Sequence, residues 1–379
     1  MTLRPWIALM LFALPLLILA AGCVKNPSAS APISPPALPA PTASAAVISS
    51  DFVGNAVCRT CHAEEHKLHG ASRHARTLRA ATRKELGSLM PPSGPVPETE
   101  MVFREREGAL RMTMASDADR EIAVDLAFGS GKTGLTFVAF LGEDQAMELH
   151  KSWFPSLHTW YQTPGQERLK PTDVGRVSSR QMSQKCLSCH TVTVSEAAIK
   201  PEPRFFGVGC ESCHGAGGAH AAAMQTGKQG DIAIERLGKL DATKLNTLCG
   251  RCHRGIENVN LQTDQAQMTN RFQAYGLMKS RCFLESGNSL SCITCHNPHK
   301  DASTDTKTYE AVCKSCHASG GSSASGAAVK SCPVNPGSGC IGCHMPKRPV
   351  FSQANPPTQM ADHYIRAENS LIFGAPETK

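Results

Sequence analysis

The chain has 379 residues and a formal net charge of +7 at pH 7, and it contains 17 cysteines and 15 histidines. Hydrophobic residues reach 41%, which excludes a wholly disordered chain, but aromatic residues make up only 5%, too few for a conventional core of this size. The number and spacing of the cysteines exclude a reduced cytosolic enzyme, a zinc-ribbon array and a plain disulfide scaffold.

Residues 1–22 are predicted to be a targeting signal. Arg4 supplies a positive charge, and the apolar run from Trp6 to Ala21 is too short for an ordinary membrane span. Small residues before Cys23 are typical of a bacterial lipoprotein signal, so we expect Cys23 to be lipidated and to anchor the protein in a membrane. Val24, rather than an aspartate, favours the outer membrane by analogy with lipoprotein sorting. The alternative is cleavage nearby by ordinary signal peptidase, which leaves Cys23 a free thiol.

Residues 23–50 are rich in Pro, Ala and Ser and carry almost no charge. Such a segment cannot bury enough apolar surface to offset the entropy lost on ordering, so we predict an extended tether. At about 3.1 Å per residue in polyproline form, it could hold the folded part roughly 80 Å from the lipid. That length suits a protein that reaches a partner across a gap, although a simple spacer has the same composition.

The sequence Cys-x-x-Cys-His occurs seven times. It is the attachment motif for c-type haem: the thiols form thioethers with the haem, and the adjacent histidine is the proximal iron ligand. Zinc sites usually combine two CxxC or CxxC/HxxxH halves, and seven thioredoxin-like motifs on one chain would serve no purpose. We therefore predict seven covalently bound haems, ligated by His62, His190, His214, His253, His296, His317 and His344. They are attached through Cys58, Cys61, Cys186, Cys189, Cys210, Cys213, Cys249, Cys252, Cys292, Cys295, Cys313, Cys316, Cys340 and Cys343.

Haem also accounts for the low aromatic content. Each haem is a large apolar disc, so seven of them would supply the hydrophobic core, wrapped by short helices. Their propionates, roughly 14 carboxylates, would bring the formal charge from +7 to roughly −7. The basic composition is therefore no sign of nucleic-acid binding. A set of basic residues is expected to pair with propionates or to form a solvated helix face: Arg73, Arg76, Arg79, Arg83 and Lys84.

Between the first two motifs lies a long segment without one, which we predict to be a small β-rich insert over residues 91–182. Apolar and polar residues alternate over Met101–Met114 and Glu121–Gly142, as in strands with one buried face. Turn signals at Glu107-Gly108 and Gly129-Ser130-Gly131 indicate hairpins. The stretch FGSGKTG is not a nucleotide site, because a phosphate-binding loop needs a glycine where Leu126 stands and no ATP is expected outside the cytoplasm.

The second axial ligand of each iron decides between electron transfer and substrate chemistry, because only an iron with a free position can bind a substrate. Met345 directly follows a proximal histidine, and His66 stands four residues after His62, so neither reaches the far side of its own haem. His150 and His158, eight residues apart, are predicted to share one helical face that delivers ligands to the haems. Eight histidines lie outside the motifs, enough to cap seven irons: His66, His69, His74, His150, His158, His220, His299 and His363.

Four stretches carry more than the motif itself: FVGNAVCRTCHAEEHKLHGASRHARTL, GCESCHGAGGAH, RFQAYGLMKSRCFLESGNSLSCITCHNPH and CIGCHMPKRPVFSQANPPTQMADHYIR. They resemble modules of the multihaem c-type cytochromes, the tetrahaem and octahaem proteins of the hydroxylamine oxidoreductase and nitrite reductase superfamily. The resemblance covers most of residues 51–366 and implies a mainly α fold with much irregular chain, wrapped around a haem stack. It implies distal ligands at His74, His220, His299 and His363, and it leaves three haems to His69, His150, His158 or His66.

The predicted organisation is a signal peptide (1–22), a tether (23–50), a first haem module (51–90), the β-rich insert (91–182), a six-haem module (183–366) and a loose tail (367–379). Residues 318–328, with the sequence ASGGSSASGAA, are predicted to be a flexible insertion. Cys282 and Cys332 belong to no motif. In an oxidising compartment they could form a disulfide that closes a long loop, with two buried free thiols as the alternative.

These features predict an exported, lipid-anchored seven-haem protein, most consistent with the outer membrane facing the periplasm or the cell surface. It would carry electrons between a membrane-linked redox protein and a periplasmic or extracellular acceptor. The alternative is an oxidoreductase with one open-site haem that acts on hydroxylamine or on a nitrogen or sulfur oxyanion. No motif departs from CxxCH towards the CxxCK of pentahaem nitrite reductases, so we favour the electron carrier and predict no catalytic residue. No nucleic acid or nucleotide is expected as a partner.

Overall fold

The structure is a computed structural model that describes residues 52–227, 233–259, 269–287, 289–317, 331–350 and 358–366. Cys23, the signal, the tether, the 318–328 insertion and the 367–379 tail lie outside the described residues, so the interpretations of these segments stay predictions. Within the described ranges, no helix is long and apolar enough to cross a membrane.

The haem motifs lie on short helices: in every motif the first cysteine is helical. Asp241 caps the helix of the fourth motif by accepting a hydrogen bond from the Lys244 amide at 2.8 Å. The helices are α1 (Asn55–Cys58), α2 (Ala63–Gly70), α3 (Arg83–Leu86), α4 (Arg180–Leu187), α5 (Cys210–His214), α6 (Gly218–Gln225), α7 (Ala242–His253), α8 (Gln273–Lys279), α9 (Arg281–Glu285), α10 (Cys292–Cys295), α11 (Thr306–His317) and α12 (Cys340–His344).

Antiparallel strands form two sheets in the segment between the first two motifs and one small sheet near the end of the described chain. A six-stranded sheet has the order β1-β6-β7-β8-β10 with β9 also paired to β8, a four-stranded sheet has the order β2-β3-β4-β5, and β11 pairs with β12. The strands are β1 (Leu78–Ala80), β2 (Gly94–Pro95), β3 (Met101–Arg106), β4 (Ala109–Met114), β5 (Asp117–Ala123), β6 (Leu126–Phe128), β7 (Leu135–Leu141), β8 (Gln145–Phe154), β9 (Thr159–Gln162), β10 (Gly175–Ser179), β11 (Lys347–Pro349) and β12 (Gln359–Ala361).

The two turn predictions are confirmed. Glu107 and Gly108 join β3 to β4 with φ angles of 53° and 74°, the left-handed conformations that a two-residue hairpin turn requires. Gly129 and Gly131 lie in the connection between β6 and β7 with φ angles of 105° and 80°. The GSGK stretch is therefore a hairpin connection.

The helix predicted for His150 and His158 is wrong. Residues 145–162 form β8, a short 3-10 turn over Pro155–Leu157 and β9. Aromatic side chains that face one another across the two strands, Trp153 opposite Trp160, favour this hairpin over a helix. His158 takes the left-handed conformation at the end of the turn, with φ 46°.

The sheets are larger than the predicted insert, and they hold the main hydrophobic core. The first strand starts at Leu78, inside the segment predicted as the first haem module, because β1 pairs with β6. The largest cluster of buried apolar residues runs from Ala81 to Trp153 and belongs to this β region. "Mainly α" therefore describes the haem modules but not the whole fold. In the described part of the chain after residue 210, buried apolar side chains such as Leu245 and Phe283 are scattered.

Candidate haem sites

Four motif histidines each face a second imidazole from another part of the chain. Metal–imidazole bonds are about 2 Å long, so two imidazoles that bind one metal ion from opposite sides have ring centres roughly 6 Å apart. All four separations match that value. The ring centres are 6.4 Å apart for His62 and His220, 6.2 Å for His214 and His299, 6.0 Å for His253 and His74, and 6.2 Å for His296 and His363.

The hydrogen bonds of these rings leave one nitrogen for iron. In His74, His214 and His363 the Nδ1 atom lies 3.4, 3.0 and 2.9 Å from a backbone carbonyl oxygen, to which it can donate its hydrogen. His190 and His344 make the same contact, at 3.0 Å to Thr77 and 2.9 Å to Arg366. Such a bond fixes the tautomer with a bare Nε2, which is the atom that binds a metal. The residues therefore fit a bis-histidine haem.

Burial also favours the neutral form of the ring. Removal from water lowers the pKa of His253, His296, His299 and His363 below the ordinary histidine value. Only a neutral imidazole can donate an electron pair to a metal. The electrostatics of the apoprotein therefore keep these side chains ready to ligate iron.

The surroundings of His190, the histidine of motif 2, are different. The ring that packs against His190 belongs to Phe128, with centres 4.9 Å apart and an edge-on arrangement. A phenyl ring has no donor atom for iron. Among the described residues, no histidine ring packs against His190 or His344 as in the four pairs above. His317 ends α11 and is exposed.

The remaining candidate ligands lie elsewhere. His150 is 2% exposed within β8 and its Nε2 is closed off from solvent, which leaves no room for a porphyrin beside it. His158 packs on Trp153 in the β region. His69 is buried in α2 beside His74 and His299 rather than opposite a motif histidine, and His66 lies on the same helix. Their assignment as ligands stays a prediction without support from these contacts.

Attachment thiols of different motifs lie beside one another. Cys58 interacts with Cys210, Cys189 with Cys252, and Cys249 with Cys292. The interaction with Cys210 lowers the pKa of the Cys58 thiol to about 7. Weaker electrostatic interactions link Cys213 to Cys249, and Cys313 to both Cys295 and Cys340. In a haem-loaded protein these sulfurs are thioethers, so the thiol pairs mark places where haem edges approach each other.

Cys282 and Cys332 are both free thiols in the structure. Cys282 interacts electrostatically with Cys316, Cys295 and Cys313, the attachment thiols of the fifth and sixth motifs. The Cys332 sulfur accepts a hydrogen bond from the Asn335 amide at 3.4 Å. The structure does not bring these two cysteines together, and their disulfide stays a prediction.

The basic residues expected to meet propionates have mixed surroundings. Arg73 forms an ion pair with Asp301 and Arg83 with Glu105. Arg79 donates to the Gly129 carbonyl at 3.4 Å, and its buried Nε has no partner. The pairing of this set with propionates stays a prediction.

Sequence reasoning missed three side chains that hold the motifs in place. The Glu211 carboxylate, 3% exposed, accepts hydrogen bonds from the amides of Val53, Gly54 and Gly217 at 2.8–2.9 Å. Asn55 and Asn246 accept from the amides of Cys210 and Cys292 at 2.9 and 3.0 Å. The available signal was an asparagine three residues before a motif, in NAVCRTCH and NTLCGRCH.

Comparison with known proteins gives a match to one family model and similarity to two solved cytochrome structures. Residues 147–215 match the family model for cytochrome c554 and c-prime, a stretch that includes the second and third motifs. No curated protein sequence matches the chain. The crystal structure of the outer cell wall cytochrome OcwA is 16% identical, with a TM-score of 0.47 over 84% of this chain and 80% of that one.

An undecahaem cytochrome from the S-layer of Carboxydothermus ferrireducens is also 16% identical, with a TM-score of 0.45 over 85% of this chain. The alignment spans 53% of that protein. The hydroxylamine oxidoreductase and nitrite reductase superfamily stays a prediction. The family match, the CxxCH motifs and the opposed imidazoles together support a multihaem c-type cytochrome with covalently bound haem.

Proposed function

We propose that this protein is a seven-haem electron carrier, exported and lipid-anchored at Cys23, that connects a membrane-linked donor protein to a periplasmic or extracellular acceptor. Haem iron, when bound, cycles between the ferrous and ferric states and so carries one electron. The role of the polypeptide is to attach the haems, to supply axial ligands and to hold successive haems close together.

The observation that carries this proposal is the series of contacts that links the motifs. Motif 1 meets motif 3 where the Cys210 amide donates to Asn55, and motif 4 meets motif 5 where the Cys292 amide donates to Asn246. The Cys189 sulfur of motif 2 donates to the Arg251 carbonyl of motif 4 at 3.9 Å. The helices of motifs 5 and 6, and those of motifs 6 and 7, are in contact, and Cys213 of motif 3 interacts electrostatically with Cys249 of motif 4. A carrier that relays electrons through the molecule needs such a continuous path, whereas an isolated catalytic centre does not.

The exchange of ligands between modules supports the same reading. In each pair the distal histidine lies near a motif other than the one it faces: His74 precedes motif 2 but faces the histidine of motif 4, and His363 follows motif 7 but faces that of motif 5. Each haem site is therefore completed by a histidine from the surroundings of another motif, which favours one rigid stack of haems. The scattered apolar burial after residue 210 agrees with haem as the core of this part.

A second candidate function rests on His190. Because Phe128, and not a second imidazole, packs against this ring, motif 2 is the place where an iron could keep a free coordination position. That would favour an oxidoreductase acting on hydroxylamine or on a nitrogen oxyanion.

Protein-film voltammetry separates the two functions. The electron carrier is expected to give a broad, reversible non-turnover signal that addition of nitrite or hydroxylamine leaves unchanged. A catalytic current that saturates with either compound would overturn the carrier and support the oxidoreductase. Phe128→Ala, which opens space beside His190, should increase such a current if motif 2 is the catalytic centre. The matched control is Phe103→Leu in the core of the β region, away from the motifs.

A further inference from the structure

Two asparagines occupy the same position relative to different haem motifs. Asn55 stands three residues before Cys58 and Asn246 three residues before Cys249. Each side chain forms a hydrogen bond to a motif other than the one it precedes. The Oδ1 atom of Asn55 accepts a hydrogen bond from the amide of Cys210 in motif 3, and that of Asn246 accepts from the amide of Cys292 in motif 5. The same device thus joins motif 1 to motif 3 and motif 4 to motif 5.

The acceptors meet a specific need of the receiving motifs. Cys210 and Cys292 are the first residues of α5 and α10, where the backbone amide has no partner inside the helix. Helices normally satisfy such amides with a side chain just before the helix. At α5 the preceding Gly209 has no side chain, and the Cys210 amide is bound by Asn55 from a distant part of the chain. At α10 the hydroxyl of the preceding Ser291 bonds with Thr294, and the Cys292 amide is bound by Asn246. One hydrogen bond therefore both binds the first amide of the helix and joins that helix to another motif.

The same contacts reach the attachment atoms. The thiols that follow each asparagine by three residues, Cys58 and Cys249, interact with the thiols of Cys210 and Cys292. Asn246 Oδ1 also accepts from the Cys292 sulfur at 3.2 Å. A thioether has no hydrogen to donate, so in a haem-loaded protein only the bond to the amide remains. That bond ends at the backbone amide of the same cysteine whose sulfur would carry the haem.

Burial and close packing leave the asparagines little freedom. Asn246 is 0% exposed, and its Nδ2 donates to the Leu290 carbonyl at 3.1 Å, so its amide is used at both ends. At the other site, a Cβ on Gly209 would lie 2.6 Å from Asn55 Oδ1. Glycine at 209 is thus needed for Asn55 to approach, although its φ of −92° is open to any residue.

We infer that Asn55 and Asn246 are positioning residues that set the relative placement of the haems of motifs 1 and 3, and of motifs 4 and 5, by capping the first cysteine of the neighbouring attachment site. The inference rests on the proposed function in requiring haem at these four motifs. An asparagine that only stabilised the fold would affect unfolding, but it would not affect the magnetic interaction between two particular haems.

The test compares Asn55→Leu and Asn246→Leu, which keep the side-chain size and remove the acceptor, with Asn55→Asp, which keeps the acceptor. Asn270→Leu is the matched control, because Asn270 is also buried but donates to the Pro349 carbonyl instead of capping a motif. Haem content is measured by intact mass. Haem–haem coupling is measured by electron paramagnetic resonance of partly reduced protein, together with a spectroscopic redox titration.

Each Leu variant is expected to lose the coupling signals of one haem pair, or to lack the single haem of the capped motif, while Asn55→Asp recovers the native spectrum. Asn270→Leu should retain both coupling and haem content. Native coupling and full haem content in both Leu variants would overturn the inference and leave the proposed function intact, whereas wild-type protein without haem would overturn the proposed function.

Gly209→Ala provides a second approach if the Leu variants do not accumulate. It displaces Asn55 without removing a polar group, and it is expected to alter the coupling between motifs 1 and 3 while motifs 4 and 5 stay native. An unchanged spectrum of this variant would contradict the inference.

Discussion

His74 and His253 face each other with ring centres 6.0 Å apart, although one belongs to the first haem module and the other to the fourth motif. The Nδ1 atom of His74 is directed at the Pro298 carbonyl, 3.4 Å away, next to the fifth motif. Residues near the first, fourth and fifth motifs therefore meet at the His74 ring. As axial ligands, these two rings would position an iron and join distant parts of the chain.

Replacement of His74 should change the spin state of a single haem. We expect His74→Ala to convert one low-spin haem to high spin without loss of haem, because the attachment thiols and His253 remain. Electron paramagnetic resonance of the oxidised protein measures the change. His158→Ala serves as control, since His158 packs on Trp153 in the β region, and it should leave the spectrum unaltered. An unchanged low-spin spectrum in His74→Ala would refute the pairing.

Glu211 is expected to contribute strongly to stability. Its buried carboxylate is the acceptor for three backbone amides, so Glu211→Ala leaves three donors, two of them buried and one part-buried, without this partner. We predict a loss of about 3 kcal/mol or more in the free energy of unfolding. Denaturant titration followed by far-ultraviolet circular dichroism measures it.

The matched control is Glu202→Ala, which removes an exposed carboxylate paired with Arg204 at 2.9 Å. Surface ion pairs of this kind contribute about 0–1 kcal/mol. Equal effects of the two substitutions would show that the three amide contacts of Glu211 are not stabilising.

The ion pair between Glu98 and Lys151 predicts a pH dependence of the β region. The Lys151 ammonium, whose side chain is 6% exposed, lies 2.7 Å from the Glu98 carboxylate. The hydrogen bond from Lys151, and then its charge, lowers the pKa of Glu98 below the ordinary value of 4.5. A lowered pKa gives stability that is present above pH 4.5 and lost as the pH falls through the folded-state value.

Glu98→Gln should therefore lower the midpoint temperature of thermal unfolding near pH 7. The difference in midpoint from the wild-type protein should disappear in acid. Glu143→Gln, at an exposed turn residue, is the control and should have little effect at either pH. A deficit of Glu98→Gln that persists in acid would contradict the ion-pair explanation.

The fate of Cys23 can be tested separately from the haems. In a bacterial host, the wild-type chain is expected to incorporate a clickable fatty acid and to fractionate with membranes, whereas Cys23→Ser should do neither. Cys282→Ser is the control, because it also removes a cysteine outside the motifs. Unlabelled, soluble wild-type protein would favour ordinary signal cleavage instead.

Local patterns predicted the local features of this fold. Cysteine spacing predicted the attachment sites, and the residue types at Glu107 and Gly108 identified a hairpin, because both signals are complete within a few residues. The spacing of His150 and His158 was compatible with a helix, but the cross-strand contact of Trp153 with Trp160 depends on how the chain folds back and favours strands.

Contacts between distant modules were outside the reach of pattern reading. The caps from Asn55 to Cys210 and from Asn246 to Cys292, and the placement of Phe128 against His190, join residues that nothing in the linear order relates. The resemblance of single modules nevertheless pointed to His74 and His220, which the structure places opposite motif histidines. Among the described residues, no histidine ring lies opposite His190 or His344, and the expectation that spare histidines cap every iron stays a prediction.

The most direct measurement is the intact mass of the exported protein after denaturation, from a host that matures c-type cytochromes. We predict a polypeptide that retains seven haems, because thioether links survive unfolding. Recovery of the bare polypeptide, without any added haem mass, would contradict the account.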